Sequence, residues 1–402
     1  MLFKEVIGQA AMKHHLAEMV QQNRLSHALL FLGKDGTGSL PLAMAFAQYI
    51  VCEKVNRKKE TSAPAASLFG DEPVQVVNEL QHDACGECSA CKKAMQMVHP
   101  DVHFSFPTIT DKQSKAQNSS KLTKEFREFF FQNPYGNVYD WLQSINAENK
   151  QGNISAEECN DIIKQLSLKS FESDYKILVM WMPEYLGNEG NKLLKLIEEP
   201  PPNTLFILVA ENEEKILQTI LSRTQLVKIP LLEDKEVEDA LIKRTGTQPE
   251  QARQVAAMAQ GNYHEAVQLL QHAGEDWLQL VTEWMTCMVR SKYADQLKWI
   301  DEVTRLGREK QKQLLQYFNH LVEQAVRLRI IGDSNTSLSA TEKDFAERLN
   351  KITSVPQQQA ILTELDNATY YVERNANPKM LFHALTIKMF HIIINKVVVK
   401  AA

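Results

Sequence analysis

The segment FLGKDGTGSLPLA, residues 31–43, has the outline of a phosphate-binding loop. An apolar, strand-like run precedes it and a helical pattern follows it, which is the order in which such loops occur. Its three glycines stand at the expected spacing: Gly33, Gly36 and Gly38. The two positions at which a working loop has Lys and then Ser or Thr hold Ser39 and Leu40. Ser39 cannot supply the ammonium that reaches the β- and γ-phosphates, and Leu40 cannot bind Mg²⁺.

The strand that would carry the acidic residues of an ATPase lacks them as well. In an active P-loop ATPase of this type that strand ends in Asp-Glu, whereas KILVMWMPEYL, residues 176–186, has Trp181 and Met182 at that point. Glu184 lies two residues further on. The lysine, the hydroxyl and the carboxylates of phosphoryl transfer are thus missing together. Their joint loss predicts a domain that keeps the nucleotide-binding fold without the reaction.

The order of apolar runs around this loop predicts an α/β domain with a parallel sheet. Five strand candidates alternate with helical patterns: HALLFLG (27–33), DVHFSFP (101–107), YKILVMWM (175–182), TLFILVA (204–210) and TQLVKIP (224–230). Most of them are continuous rather than alternating apolar runs, which is typical of strands buried on both faces of a parallel sheet. Two insertions interrupt the domain, a largely polar, mobile one at about 53–81 and a second at about 108–153.

The chain beyond the sheet is predicted to be helical throughout. Residues 1–230 form the α/β domain in this interpretation, residues 231–273 a small lid of three short helices, and residues 274–402 an all-α domain. In the last region apolar residues recur every three or four positions, the spacing of a buried helix face. We interpret its Met and aromatic stripes as core, and the aromatic residues of the second insertion as local packing.

Composition places the protein in an ordinary class. The 402 residues are 44% apolar and 24% charged, with a net charge of −5. The acidic balance argues against a stand-alone nucleic-acid binder, which usually has a basic excess. No apolar run approaches the roughly 20 residues of a membrane span, and the N-terminus lacks the apolar core of a signal peptide. We therefore expect a cytoplasmic protein whose six cysteines form no disulfides.

The segment DACGECSACKK, residues 83–93, predicts a metal site. It places Cys85, Cys88 and Cys91 at two-residue gaps, and Cys52 stands upstream at the end of a helical pattern. Four thiolates suit tetrahedral Zn²⁺, and such a site has no open position, so its zinc would be structural. His82 and His99 are alternatives for the fourth ligand, and an iron–sulfur cluster is the minor competitor of zinc.

The segment NKLLKLIEEPPPNTLFILVAENEEKILQTILSRTQLVKIP, residues 191–230, closely resembles the clamp-loader branch of the AAA+ family. In that branch an LLKxLEEPPxxTxFIL pattern precedes a helix and a Ser-Arg-Cys signature, at which this chain has Ser222, Arg223 and Thr224. FKEVIGQ (3–9) and LSHALLFLG (25–33) match the opening of the family, the cysteine cluster matches its zinc module, and ERNANPKMLFHAL (373–385) resembles its last helices. The resemblance covers nearly the whole chain apart from the two insertions.

The resemblance implies roles for several residues. Arg223, which composition alone would leave as a surface arginine, would act as an arginine finger on the ATP of a neighbouring subunit. In GNYHEA, His264 stands where the motor subunits of the family have a nucleotide-sensing Arg. Members that keep Ser-Arg and the zinc module but lose the nucleotide motifs are subunits without ATPase activity, so no ATP is expected on this chain.

The function that the resemblance implies is that of a non-catalytic clamp-loader subunit of a DNA polymerase III holoenzyme. It would join motor and delta-type subunits in a hetero-oligomeric ring through its all-α collar, and the ring would load a sliding clamp onto primed DNA. One alternative is an ATP-hydrolysing motor subunit with an atypical site. Another is a zinc-dependent DNA-binding module, which would need a basic face.

Overall fold

The computed structural model describes most of the chain, namely residues 1–56, 82–109, 118–147, 150, 152–271, 277–290, 293–332, 340–373 and 376–396. Most of the predicted polar insertion, residues 57–81, and part of the second insertion, residues 110–117, lie outside them. The chain forms two compact units, one made of Met1–Thr247 with Ala259–Glu265 and the other of Gln248–Met258 with Ala266–Ala402. The division into three domains stays a prediction.

The first unit is built on a five-stranded parallel sheet in the order β2-β3-β4-β1-β5. The strands are β1 (Ala28–Leu32), β2 (Val102–Ser105), β3 (Lys176–Trp181), β4 (Thr204–Ala210) and β5 (Gln225–Lys228). Each lies within one of the five predicted segments, and the predicted parallel α/β architecture is confirmed.

Burial on both faces explains why the central strands are continuous apolar runs. Every residue of β3 and β4 is buried. Successive side chains of a strand point to opposite faces. Leu29 and Phe31 of β1 accordingly belong to the core on one face, while Leu30 belongs to the core on the other. The strands therefore have no polar face that could produce an alternating pattern.

The parallel arrangement brings three connections to one edge of the sheet. Leu32 of β1 pairs with Ala210 of β4, and Trp181 of β3 pairs with Val209. The chain therefore leaves β1, β3 and β4 at the same carboxyl edge, which is where open α/β sheets bind ligands. The predicted phosphate-type loop follows β1 at this edge.

Helices cover the sheet of the first unit. They are α1 (Ala10–Gln21), α2 (Ser39–Val51), α3 (Glu53–Asn56), α4 (Ser89–Met95), α5 (Thr123–Gln132), α6 (Val138–Ser144), α7 (Ala156–Ser167), α8 (Leu194–Glu198), α9 (Gln218–Leu221) and α10 (Asp234–Thr245). Helices α11 (Pro249–Ala259) and α12 (Tyr263–Gln271) span the sequence boundaries between the two units. Helix α8 ends just before Pro200, since a proline cannot continue the helix.

The second unit is helical, as predicted for the C-terminal region. Its remaining helices are α13 (Trp277–Val289), α14 (Tyr293–Arg305), α15 (Arg308–Ile331), α16 (Ala340–Ile352), α17 (Val355–Glu373) and α18 (Pro378–Ile393). Trp284 and Trp299 stack in its core with ring centroids 4.5 Å apart. The Trp284 indole donates to the Thr386 hydroxyl at 3.0 Å, so the buried N–H is satisfied. Among the described residues, no helix combines the length and the apolar character that a membrane span requires.

Candidate functional site

The glycine loop joins β1 to α2 at the carboxyl edge of the sheet. Gly36 and Gly38 have φ values of +70° and +89°, which glycine adopts without steric cost. The Thr37 hydroxyl donates to the Lys34 carbonyl oxygen at 2.7 Å and lies 3.1 Å from the Ser39 hydroxyl. These hydroxyls therefore hold the loop in shape, and Ser39 has no charge to offer a phosphate.

The first turn of α2 is suited to packing rather than to holding phosphate. Leu40, at the position of the magnesium-binding hydroxyl, is 6% exposed and belongs to the same apolar core as Phe31. Pro41 follows it and has no N–H. The helix N-terminus, which in a working loop presents its free N–H groups to phosphate, thus offers one donor fewer.

The end of β3 holds an aromatic cluster where an ATPase has carboxylates. Trp181 is 4% exposed and packs against Phe126 and Phe129 of α5, with ring centroids 5.7 and 6.0 Å away. Met182 follows with a φ of +59°, and its N–H donates to the Val209 carbonyl oxygen at 2.8 Å. Helix α5 belongs to the second insertion, so its aromatic residues pack on the end of β3 and not, as the sequence had suggested, only within the insertion.

Glu184 is the acid nearest in sequence to the missing carboxylates, and it has a structural task. Its Oε1 accepts hydrogen bonds from the N–H groups of Glu211 and Asn212, at 2.6 and 2.9 Å, just after β4. Burial raises the pKa of this carboxyl above its ordinary value. Glu184 therefore fixes the turn that follows β4 through Oε1, while its Oε2 is buried without a hydrogen-bond partner among the described residues.

His264 links the glycine loop to the second insertion. Its Nε2 lies 2.7 Å from Asp140 Oδ2 of α6, and its Nδ1 lies 3.5 Å from Asp35 Oδ2 of the loop. Burial alone would lower the pKa of His264, but the hydrogen bonds to Asp140 and Asp35 outweigh it and raise the pKa to about 10. The imidazolium is thus the charged partner of two carboxylates.

The second insertion also enters the cleft above the glycine loop. Its residues Pro134, Tyr135 and Gly136 line this cleft together with the loop and with Trp181. The remaining cavity has a volume of about 30 Å³, room for roughly two water molecules. Our sequence reasoning missed Tyr135 and Asp140. The NPYGN stretch at 133–137 indicates only a local turn, and no local pattern shows which distant residues such a turn will contact.

The four predicted cysteines come together in the structure. Cys52 follows the end of α2, Cys88 is the N-cap of α4, and the Sγ atoms of all four, including Cys85 and Cys91, lie within 4.8 Å of one another. The Cys85 and Cys91 sulfurs are 3.8 Å apart, which matches the roughly 3.8 Å between sulfurs in a tetrahedron with Zn–S bonds of about 2.3 Å. The donor set therefore fits Zn²⁺.

Backbone amides support the sulfurs. The N–H groups of Cys85, Cys88 and Cys91 donate to the Sγ atoms of Cys52, Cys85 and Cys88 respectively, each at 3.4 Å. Such bonds favour the thiolate, which is the form that binds metal. Gly86 supplies the tight turn with a φ of +73°.

The two histidines that were alternatives for the fourth ligand lie in other surroundings. The His82 ring stacks on that of His14, with centroids 5.5 Å apart. The His99 Nε2 lies 3.2 Å from Glu172. Among the described residues, neither histidine belongs to the group with metal-ligand spacing.

Arg223 lies in the short connection between α9 and β5. Its Nε donates to Glu198 Oε1 at 2.5 Å, and its Nη1 donates to the Thr219 carbonyl oxygen at 2.7 Å and to the Ser222 hydroxyl at 3.0 Å. The side chain is 34% exposed. Ser222 thus helps to orient the guanidinium, and Arg223 stands at the surface of the first unit.

A family model matches the part of the chain that holds most of these features, and His264 lies beyond it. The family is described as DNA polymerase III, delta subunit, and its model matches residues 8–68 and 59–233. These segments together cover more than half of the 402 residues. They include the glycine loop, the four cysteines and Arg223.

Curated relatives fall into two groups. The chain is 28% identical over 256 residues to the DNA polymerase III subunit delta' of Bacillus subtilis, covering 63% of this chain and 56% of that protein. It is 23% identical over 259 residues to the subunit delta' of Haemophilus influenzae, covering 64% and 59%. It is 26% identical over 277 residues to the subunit tau of Bacillus subtilis, covering 67% and 37%. Each match spans less than two thirds of the relative.

Proposed function

The chain belongs to the DNA polymerase III delta subunit family, as a delta-prime-like member of the clamp-loader group, and we propose that it is a clamp-loader subunit without ATPase activity that supplies Arg223 to a neighbour. In this proposal the motor subunits of a hetero-oligomeric ring bind and hydrolyse ATP. The ring opens a sliding clamp and places it on primed DNA, and this chain is a rigid part of it.

The absence of ATPase activity is supported mainly by one observation. Within a single cleft, other residues replace the lysine, the hydroxyl and a carboxylate of phosphoryl transfer. Ser39 replaces the lysine, the buried Leu40 replaces the magnesium-binding hydroxyl, and the buried Trp181 replaces a carboxylate. An ATPase depends on a lysine, a bound metal ion and carboxylates to stabilise the charge that develops on the transferred phosphate. Asp35 of the loop and Asp140 of α6 are engaged by His264. The cleft therefore lacks the lysine and the magnesium-binding hydroxyl at the start of α2, although Lys34, Asp35 and Glu211 line it.

The surface position of Arg223 supports its role in trans. The guanidinium is planar and permanently charged, and its fork of N–H donors fits phosphate oxygens. Inserted next to the γ-phosphate of a neighbouring subunit, it would stabilise the charge that develops there during transfer. Such fingers accelerate hydrolysis by roughly 10³ to 10⁵ in GTPases. A subunit without its own site would thereby control the site of another.

The four cysteines would hold a structural zinc ion. All four positions of the tetrahedron are protein thiolates, so no coordination site remains for substrate or water. The ion would tie the end of α2 at Cys52 to the turn that carries the other three cysteines. Zinc in this proposal stabilises the first unit and takes no part in ATP hydrolysis.

The test is ATP turnover by a reconstituted loader with clamp and primed DNA, in which wild-type chain is compared with Arg223→Ala. We expect turnover at the site served by this subunit to fall about tenfold or more, as for the loss of an arginine finger. Arg348→Ala is the matched control, because Arg348 also forms an exposed ion pair, with Asp344. Full turnover with Arg223→Ala would reduce Arg223 to a surface residue.

The relatives named tau support one alternative, a motor subunit with an atypical nucleotide site. The isolated chain distinguishes the two functions. We expect no ATP binding or turnover by the chain alone, because Ser39, Leu40 and Trp181 replace the lysine, the hydroxyl and a carboxylate of phosphoryl transfer. Turnover by the isolated chain, abolished by a change in the glycine loop, would favour the motor function.

A further inference from the structure

The part of the second insertion that joins α5 to α6 lies in the cleft above the glycine loop. We call residues 133–140, which include the first residues of α6, the insertion turn. Its Pro134, Tyr135 and Gly136 line the cleft, and its Asp140 carboxylate receives hydrogen bonds from the Asn133 side chain and the Asn137 N–H, at 3.1 and 3.2 Å. The turn is therefore internally braced while it reaches into the cleft.

Tyr135 is the centre of these contacts. It is 4% exposed, and its hydroxyl oxygen accepts a hydrogen bond from the Ile7 N–H at 2.7 Å. Its ring lies so close to the glycine loop that a Cβ added to Gly38 would stand 2.9 Å from Cε1. Tyr263 packs edge-on against the ring with centroids 5.0 Å apart, and the Arg244 guanidinium lies 5.3 Å from its centroid. The Tyr135 ring and its hydroxyl thus fill a pocket beside the glycine loop. Backbone, aromatic and cationic groups form the walls of this pocket.

A partly buried ionic bridge attaches the insertion turn to the loop. His264 lies between Asp140 of the turn and Asp35 of the loop, at 2.7 and 3.5 Å. The Asn137 side chain also donates to Asp35, at 3.3 Å. With a pKa raised to about 10, His264 is a cation at neutral pH, so the bridge joins one positive group to two negative ones. Removing His264 would leave two partly buried carboxylates without this cation, which is costly.

The first residue of α12 and the residue before it hold the glycine loop from another side. The Tyr263 N–H donates to the Gly36 carbonyl oxygen at 3.1 Å. The Asn262 side chain lies against Gly36, since a Cβ added to Gly36 would overlap its Oδ1 atom. The loop therefore contacts ordered groups on both sides, and only about 30 Å³ of cavity remains. That volume holds roughly two water molecules.

We propose that the insertion turn is a built-in occupant of the ancestral nucleotide cleft. Tyr135 takes the place of a flat ligand ring, and the Asp140–His264–Asp35 bridge locks the turn onto the loop. The cleft is thus closed to nucleotide for a second reason, independent of the missing lysine and carboxylates. It also follows that the first unit keeps one arrangement of the loop, of the Ile7 segment and of the residues at the start of α12, whether or not ATP is present.

The first test restores the lysine and the hydroxyl of the glycine loop, in one variant that keeps Tyr135 and in another that lacks it. The full-length double variant S39K/L40T regains the lysine and the hydroxyl but keeps the insertion turn. The triple variant S39K/L40T/Y135A also opens the pocket. Binding of ATP is measured by titration calorimetry on both, after circular dichroism has verified their folding. We expect at least about a tenfold tighter dissociation constant for the triple variant.

Tyr139 provides the matched control for this comparison. It belongs to the same turn but is not among the described residues that line the cleft. S39K/L40T/Y139A should bind ATP no better than S39K/L40T. Equal ATP binding by S39K/L40T with the turn intact would overturn the proposal, and so would a folded triple variant that gains no binding.

The second test uses Tyr135→Phe, which keeps the ring in the cleft. The variant removes only the hydroxyl oxygen that accepts a hydrogen bond from the Ile7 N–H. We expect the Ile7 amide to be protected from hydrogen exchange in the wild type and to exchange faster in the variant. The Gly33 amide, which donates to the Ala210 carbonyl oxygen at 3.1 Å, serves as the internal control and should not change. An unprotected Ile7 amide in the wild-type chain would show that Tyr135 is not seated in the cleft. Neither test depends on Arg223, so a failure here leaves the trans-finger function untouched.

Discussion

The Glu198 carboxylate is the ion-pair partner of the Arg223 guanidinium. Its Oε1 atom accepts a hydrogen bond from Arg223 Nε at 2.5 Å and also contacts Arg223 Nη2. The Nη1 of Arg223 donates to the Thr219 carbonyl oxygen and to the Ser222 hydroxyl. A phosphate on a neighbouring subunit would need the same donors. In the proposed trans role, Glu198 and that phosphate would compete for Arg223, and Arg223 would have to leave Glu198 in order to reach the phosphate.

Glu198→Gln is expected to leave loader turnover unchanged or to raise it. The neutral amide holds the guanidinium less strongly and frees it for the phosphate. The side chains of Arg223 and Glu198 are 34% and 44% exposed, so the free energy of unfolding should change by only about 0–1 kcal/mol, as for other surface pairs. ATP turnover of the reconstituted loader is the measurement, with the exposed Glu199→Gln as control. A marked fall in turnover by a folded Glu198→Gln subunit would mean that Glu198 positions the finger instead of competing for it.

Metal analysis of the purified chain should find zinc, and Cys91→Ser should abolish it. Cys91 is fully buried in the cluster, and its loss leaves three thiolates around the site. Because metal binding contributes to folding free energy, the variant and a chelator-treated wild type should both unfold at a lower temperature. Cys287→Ser, which changes a thiol of the second unit, should keep both the zinc and the melting temperature. An unchanged zinc content in Cys91→Ser would exclude the four-thiolate site.

The ion pair of His264 predicts a stability that depends on pH. The pKa of His264 is raised from 6.5 to about 10 by Asp140 and Asp35, despite its burial. The stabilisation by the charged imidazole is therefore complete below about pH 6.5 and is lost as the pH rises towards 10. His264→Gln should lower the free energy of unfolding by about 1.5–3 kcal/mol at pH 6, and the deficit should shrink as the pH approaches 10.

Urea denaturation of wild type and variant between pH 6 and pH 10 measures this deficit. His320→Gln is the control, because burial lowers the pKa of His320 to about 4, so that this histidine is neutral throughout the range above pH 7. Its deficit should stay constant there. A deficit of His264→Gln that does not change with pH would show that the imidazole is neutral in the folded protein.

The parts of this structure that depend on local pattern could be predicted. The five strands are continuous apolar runs because β3 and β4 are buried on both faces, and the cysteine spacing produces the cluster through its own turns. The replaced positions Ser39, Leu40 and Trp181 could be identified because strand and glycine spacing specify where the lysine, hydroxyl and carboxylate should stand.

The contacts that close the cleft could not be predicted in the same way. Tyr135 meets the Ile7 amide across 128 positions of sequence, and Asp140 of α6 meets His264, which lies beyond the last strand of the sheet. Neither residue stands in a pattern that differs from an ordinary surface turn or helix cap. Tertiary packing of the insertion decides these contacts. The same holds for Arg223, whose partner Glu198 precedes it by 25 positions on another helix.

Returning a carboxylate to the end of β3 is expected to damage the fold and to leave the ATPase inactive. Trp181 is 4% exposed and packs on Phe126 and Phe129, so Trp181→Asp removes a buried aromatic ring and leaves a buried charge. Loss of a buried Trp typically costs about 3–5 kcal/mol, and an unpaired carboxylate adds to the cost. Urea denaturation and ATP turnover of the isolated chain are the measurements. Trp181→Phe is the control, because it keeps an aromatic ring in the cluster and should lose much less stability. If Trp181→Asp were as stable as the wild type, the aromatic cluster around Trp181 would not contribute to the stability of the first unit. If the variant hydrolysed ATP, a single replaced carboxylate would be the whole difference between this cleft and an active one.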